Sequence, residues 1–202
     1  MEIYTLVLSS YATNVYIIID NGAAVVVDPA ENAQLILDFI QRKNAVLKYV
    51  LLTHGHFDHV CAVSELQKCG ATVVMSKIDF DLVDSGELNA MFYVDVERFN
   101  LDISVKQDDV LELIGHTFKV ISTSGHTPGS VCYVMDDDVI FTGDTLFYLS
   151  IGRTNFTFGN KTELVDSVKK LYALPHDYKI LSGHGQQTTL DFERKNNNYV
   201  RV

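Results

Sequence analysis

The stretch LLTHGHFDHV, residues 51–60, puts three of the chain's seven histidines and an aspartate into six positions, directly after an apolar run. Imidazole is a poor core filler, so a fold that accepts this stretch has to aim these side chains at a common target. The run "KYVLLT" (48–53) reads as a short buried strand. Alternation across His54, Gly55 and His56 then turns both imidazoles to one side. Gly55 lets the backbone pass close to whatever they hold. Asp58 and His59 follow where the chain enters a helix. Imidazole and carboxylate are the usual ligands of zinc and other first-row transition metals. Four candidate ligands this close outweigh a polar loop with scattered histidines.

A metal site needs distant partners, and three more strand ends supply them. "STSGHTPGS" (122–130) presents His126, "VIFTGDTLF" (139–147) presents Asp144, and "ILSGHGQ" (180–186) presents His184. The same grammar recurs each time: apolar strand, small residue, ligand. Five of the seven histidines obey it, whereas His116 and His176 do not. Taken singly, each is an ordinary loop residue. Together they make seven candidate ligands, enough for two metals sharing one carboxylate.

The rest of the chain fits around these ends. Strands are expected in "IYTLVL", "NVYIIID" and "AAVVVDP", the first pair separated by turn-forming residues and the second by the hairpin signal "DNG" (20–22). Helices are expected over 31–43, 59–69 and 161–174, the last opened by a capping-box pattern from Asn160 to Glu163. Further strands are expected at 71–76, 110–114, 117–122, 131–135, 139–142 and 179–183, with a polar terminal helix after them. Residues 84–100 show no clean period and are a candidate flap. Two strand groups, each trailed by helices, predict an α/β chain with two sheets packed face to face and helices outside.

At 202 residues this reads as one domain, 1–202, with 47% hydrophobic residues. Sixteen basic against 26 acidic residues leave a net charge of −10, which argues against a nucleic-acid partner. Three cysteines point to a reduced, cytoplasmic chain rather than a disulfide scaffold. No signal-peptide pattern opens the sequence, and no apolar run reaches the ~20 residues of a membrane span.

H-x-H-x-D-H followed by the isolated His, Asp and His resembles the metallo-β-lactamase superfamily, and the likeness extends to "TNVYIIID…AVVVDP". The resemblance implies a four-layer αββα sandwich with metals at one edge of the sheets. It implies a first metal on His54, His56 and His126, a second on Asp58, His59 and His184, and Asp144 as the bridge. Asp28 either supports the metal loop or caps a turn before Pro29. "GDTLFYLSIGRTNF" (143–156) is similar to the small bacterial hydrolases related to hydroxyacylglutathione hydrolase (glyoxalase II), with Asn155 where that pattern has Asp. Only about 18 residues follow His184, too few for the C-terminal helical domain of glyoxalase II. No cysteine stands at a ligand position, which argues against a β-lactam, and His56 argues against the flavodiiron type.

The implied reaction is hydrolysis of a small thioester such as S-lactoylglutathione by a metal-bound hydroxide, the two divalent ions about 3.5 Å apart. Zinc is the first expectation, with iron or manganese accepted by the same ligands. Asp58 and Asp144 are the catalytic candidates, holding the proton of the nucleophile. Arg153, Tyr148 and Phe92 are candidate substrate contacts, Arg153 for a carboxylate. Two rivals share the superfamily. One is a mononuclear iron persulfide dioxygenase using His54, His126 and Asp144, which shares the "GRT" but not the "SIG" before it. The other is a nucleic-acid hydrolase, disfavoured by charge. The sequence leaves oligomeric state open.

Overall fold

The unbroken apolar run in "TNVYIIID", buried on both faces, sets up the layering. Val15, Ile17 and Ile19 face one core while Tyr16 and Ile18 face another. The computed structural model describes residues 1–201. Its first sheet is built from β1 (Glu2–Leu8), β2 (Thr13–Asp20) and β3 (Ala23–Val27), then, after α1 (Ala33–Arg42), β4 (Val46–Leu51). Helices α2 (Phe57–Val60) and α3 (Val63–Lys68) lead to β5 (Thr72–Ser76), and α4 (Lys77–Asp84) precedes β6 (Ile103–Val105). The strands lie in sequence order, antiparallel through β3 and parallel from β3 to β6.

The second sheet takes β7 (Val110–Leu113), β8 (His116–Ser122), β9 (Val131–Met135) and β10 (Val139–Gly143). A small hairpin, β11 (Leu146–Phe147) with β12 (Ser150–Ile151), and α5 (Lys161–Tyr172) come next. β13 (Lys179–Ser182), β14 (Thr188–Thr189) and α6 (Leu190–Asn196) complete the order β14-β13-β10-β9-β8-β7. Here β10 and β13 run parallel.

Three apolar cores separate the four layers. Ile36, Ile40 and Leu66 of α1 and α3 pack on the outer face of the first sheet. Tyr16, Val25 and Val74 meet Phe118, Tyr133 and Phe141 between the sheets. Leu164, Val168 and Leu171 of α5 cover Cys132, Ile140 and Ile180 on the outer face of the second. Asn160 caps α5, accepting from Thr162 N (3.1 Å) and Glu163 N (3.2 Å) and donating to Glu163 (2.8 Å). Among the described residues no helix is long and apolar enough to cross a membrane.

The expected helix over 59–69 is broken at Cys61–Ala62. The His59 carbonyl accepts from Ala30 N (3.1 Å) and Ala62 N donates to the Ala30 carbonyl (2.8 Å), so the 30-loop takes the groups that would continue the ladder. The segment at 84–100 is anchored near its start, where Leu88 and Asn89 are buried, and near its end at Phe99, with the residues between them exposed or half-buried. One end of the sandwich is closed by main-chain bonds between the sheets: Val131 N to Thr53 O (2.8 Å) and Asn14 N to Gly183 O (2.7 Å). All seven candidate ligands lie at this end, five on loops and Asp58 and His59 in the short α2.

Candidate metal centre

The loop after β4 is held from three sides. Asp28 accepts from Thr53 N (2.8 Å) and Thr53 Oγ1 (2.6 Å). Asp79 accepts from Gly55 N (2.9 Å), and Asn89 grips both sides of the loop, accepting from Phe57 N (2.9 Å) and donating to the Gly55 carbonyl (3.0 Å). A Cβ on Gly55 would overlap Val83 and Leu88, so the close approach expected of this glycine is to α4 and the turn after it. Asp79 also accepts from Thr127 Oγ1 (2.7 Å) and Gly129 N (2.6 Å). One buried carboxylate thus ties the loop of His54 and His56 to the loop of His126.

Three of the histidines share a common pattern, while His56 presents its Nδ1 instead. His59 Nδ1 donates to Asp28 Oδ2 (3.0 Å), His126 Nδ1 to the Arg153 carbonyl (2.8 Å) and His184 Nδ1 to the Tyr11 carbonyl (3.1 Å). Each ring is oriented by its outer nitrogen, and its Nε2 is turned into one shared space, the arrangement that metal-ligating imidazoles adopt. His59 Nε2 and His184 Nε2 stand 3.3 Å apart, and His56 Nδ1 stands 2.9 Å from His126 Nε2. His54 Nε2 is buried with no hydrogen-bond partner, as is Asp144 Oδ1.

These atoms sort into two groups, His54 with His56 and His126, and Asp58 with His59 and His184. Asp144 lies between them, with Oδ1 3.5 Å from His59 Nε2 and Oδ2 3.5 Å from both His126 Nε2 and His184 Nε2. Asp28 could form a third group with His54 and His59. Its oxygens, however, already accept from Thr53 and His59, which makes it an orienting acid rather than a ligand.

Electrostatics separates the two halves. Burial, reinforced by the neighbouring histidines, holds His54 well below the ordinary imidazole value. Burial likewise brings His56 down to about 3 and His126 to about 4. These three rings are neutral, with lone pairs free for a cation. Around the second group, burial opposes charge on His59, but Asp144, Asp58 and Asp28 overcome it and raise the ring to about 10. His184 is raised against its burial by the hydrogen bond to Asp58 and the charge of Asp144. Burial pushes the Asp58 carboxyl up, yet His59 and His184 hold it below its usual value. Oriented imidazoles, clustered carboxylates and orphaned buried acceptors fit divalent metal ions.

A cavity of about 330 Å³ opens above His56, Asp58, His126, Asp144 and His184. Its walls are Tyr11, Phe57, Phe92, Phe147, Phe156 and Arg153. Tyr148 is a correction: it stacks on Phe192 (5.4 Å between centroids) away from the cavity, and its neighbour Phe147 faces in. Tyr148 lies past the end of β11, in the hairpin turn before β12, and so leaves the face that Phe147 presents. Sequence reasoning also missed Asp79, Asn89, Tyr11 and Phe156. Only Phe156 carried a signal, as the end of the "GRTNF" run. A larger cavity of about 450 Å³, beside Lys119, Lys170 and Tyr178, contains none of the seven ligands.

Comparison with known proteins agrees with this geometry. The family model for the metallo-beta-lactamase superfamily matches residues 10–184. The chain is 32% identical to the hydroxyacylglutathione hydrolase GloC of Haemophilus influenzae, over 99% of this chain and 98% of that one. The crystal structure of the BLEG-1 B3 metallo-beta-lactamase superposes with a TM-score of 0.90 at 30% identity, covering 100% of both chains. TTHA1623 in a di-iron-bound form superposes with a TM-score of 0.86 at 28% identity, over 98% of this chain and 100% of that one. A strand-end ligand grammar, a four-layer sandwich and a family match over most of its length make this chain a member of the metallo-β-lactamase superfamily.

Proposed function

We propose that the chain is a metal-dependent hydrolase of small thioesters. The observation that carries this is the convergence of three neutral histidines and an Asp-His-His group on Asp144 at the floor of one cavity. His54, His56 and His126 would hold one divalent ion and Asp58, His59 and His184 a second, with Asp144 standing between the two groups. When bound, such a pair acidifies a water and draws charge from a carbonyl oxygen. Asp58 and Asp144 line the cavity and are the carboxylates that would hold the proton of the attacking water. Cys132 offers no competing nucleophile, since it is fully buried and burial raises its thiol to about 11.

Likeness to the H. influenzae hydroxyacylglutathione hydrolase supports a thioester substrate. Zinc is the proposed metal, and the di-iron form of TTHA1623 keeps iron in view. The net charge of −10 supports a small-molecule partner over nucleic acid. A second reading is β-lactam hydrolysis. The absence of a cysteine ligand spoke against it, but the BLEG-1 likeness favours it. The test is elemental analysis beside a substrate panel. Metal-dependent release of thiol from S-lactoylglutathione, abolished by a chelator, is the expected result. A single iron with oxygen uptake on glutathione persulfide identifies the dioxygenase instead, and turnover of a chromogenic cephalosporin alone identifies the β-lactamase.

A further inference from the structure

We propose that the preferred thioester carries one carboxylate on a compact apolar or aromatic body, with the carboxylate seated on Arg153. This rests on the hydrolase reading and narrows its substrate class.

The cavity walls are aromatic. Phe92 and Phe156 stand edge-on to His56, at 5.5 and 5.2 Å between centroids, and Phe156 stands 5.3 Å from His126. Phe57 packs between Tyr11 (5.1 Å) and Phe92 (5.2 Å), and Phe147 borders His184 at 6.1 Å. Such walls bind an apolar body and give a polar one few partners. At about 330 Å³ the cavity is also small for a bound ligand, near the lower end of the ~300–1,000 Å³ such sites span.

Among the wall residues Arg153 is the one cation, and it is not neutralised. Its Nε donates to Asn155 Oδ1 at 3.2 Å, a neutral amide, and its guanidinium lies 5.6 Å from the centre of the Phe156 ring. No carboxylate pairs with it among the described residues. A planar guanidinium at the edge of an apolar cavity takes a carboxylate by paired hydrogen bonds. Its main-chain carbonyl separately fixes His126, so the side chain can be changed while that contact stays. Glutathione, with two carboxylates and an ammonium, matches these walls poorly. Outside the metal groups they offer one cation and no acid.

The experiment compares kcat/KM of the metal-loaded protein for S-(phenylacetyl)mercaptoacetate, its uncharged methyl ester and S-lactoylglutathione. The acid is expected to exceed both others by about 10-fold or more, the scale of one charge-assisted hydrogen bond. Arg153→Gln removes the cation, and Asn155→Asp places a competing carboxylate beside it. Each should shrink the acid-to-ester ratio by about 10-fold, the same interaction lost. A fold defect lowers both substrates together and leaves the ratio intact. Phe156→Ala should raise KM for acid and ester alike. Equal rates for acid and ester, an unchanged ratio in both variants, or S-lactoylglutathione as the best substrate overturns the inference and leaves the hydrolase reading standing. No turnover of any of the three overturns that reading, and the inference with it.

Discussion

Asp144→Ala empties both histidine groups at once. Its two oxygens stand 3.5 Å from Nε2 of His59, His126 and His184, so on the proposed two-metal site its loss would remove a ligand from each ion and the negative charge between them. Removing groups that merely orient a ligand costs about 10–100-fold in metal affinity or activity. Loss of a shared ligand should therefore lower thioester turnover by more than ~100-fold, and further than His184→Ala, which touches one group only. Asp144→Asn keeps the shape without the charge and should bind metal poorly while folding normally by circular dichroism. Two ions and near-normal turnover in Asp144→Ala would make Asp144 an ordinary turn residue.

Asp79→Ala is expected to act on stability and on one metal together. The carboxylate is buried and satisfies Gly55 N, Gly129 N and Thr127 Oγ1. Leaving a buried donor unpaired costs about 1–3 kcal/mol, so three of them should lower unfolding free energy by about 3 kcal/mol or more. Asp79→Asn is the milder partner, since its amide NH2 turns one acceptor into a donor facing an N–H. In both variants stepwise zinc titration should show the His54–His56–His126 group weakened by about 10-fold or more, with the Asp58–His59–His184 group changed less. Equal weakening of the two groups would reduce Asp79 to a general structural role, and unchanged zinc binding would contradict the clasp.

The layering and the clustering of the candidate ligands could be read from the chain because both are written in residue type. Val15 to Ile19 is an unbroken apolar run, the pattern of a strand buried on both faces, with Val15, Ile17 and Ile19 turned to one core and Tyr16 and Ile18 to the other. Imidazoles at strand ends have few uses other than ligation. The clasp was not legible, because its partners are main-chain groups 24 and 50 positions from Asp79 and any residue type supplies an N–H. Helix α4 was missed because its fully buried side chain is the polar Asp79, and the apolar stripe beside it is only Phe80 and Val83, partly buried against the first core. β6, three residues long, carries too little pattern to register. The break near Ala62 depends on the Ala30 main chain, which the local sequence of the helix does not encode. Tyr148 was misplaced because it sits in the turn between β11 and β12, where the hairpin and not composition sets its direction.

The central claim is a pair of metal sites sharing Asp144, and native mass spectrometry of the zinc-loaded chain tests it most directly. The expected spectrum shows two zinc ions per chain, reduced to one in His59→Ala, where the second group has lost a ligand and the first has not. A single ion in the wild-type chain under saturating zinc, or two ions retained at full occupancy in His59→Ala, would contradict it.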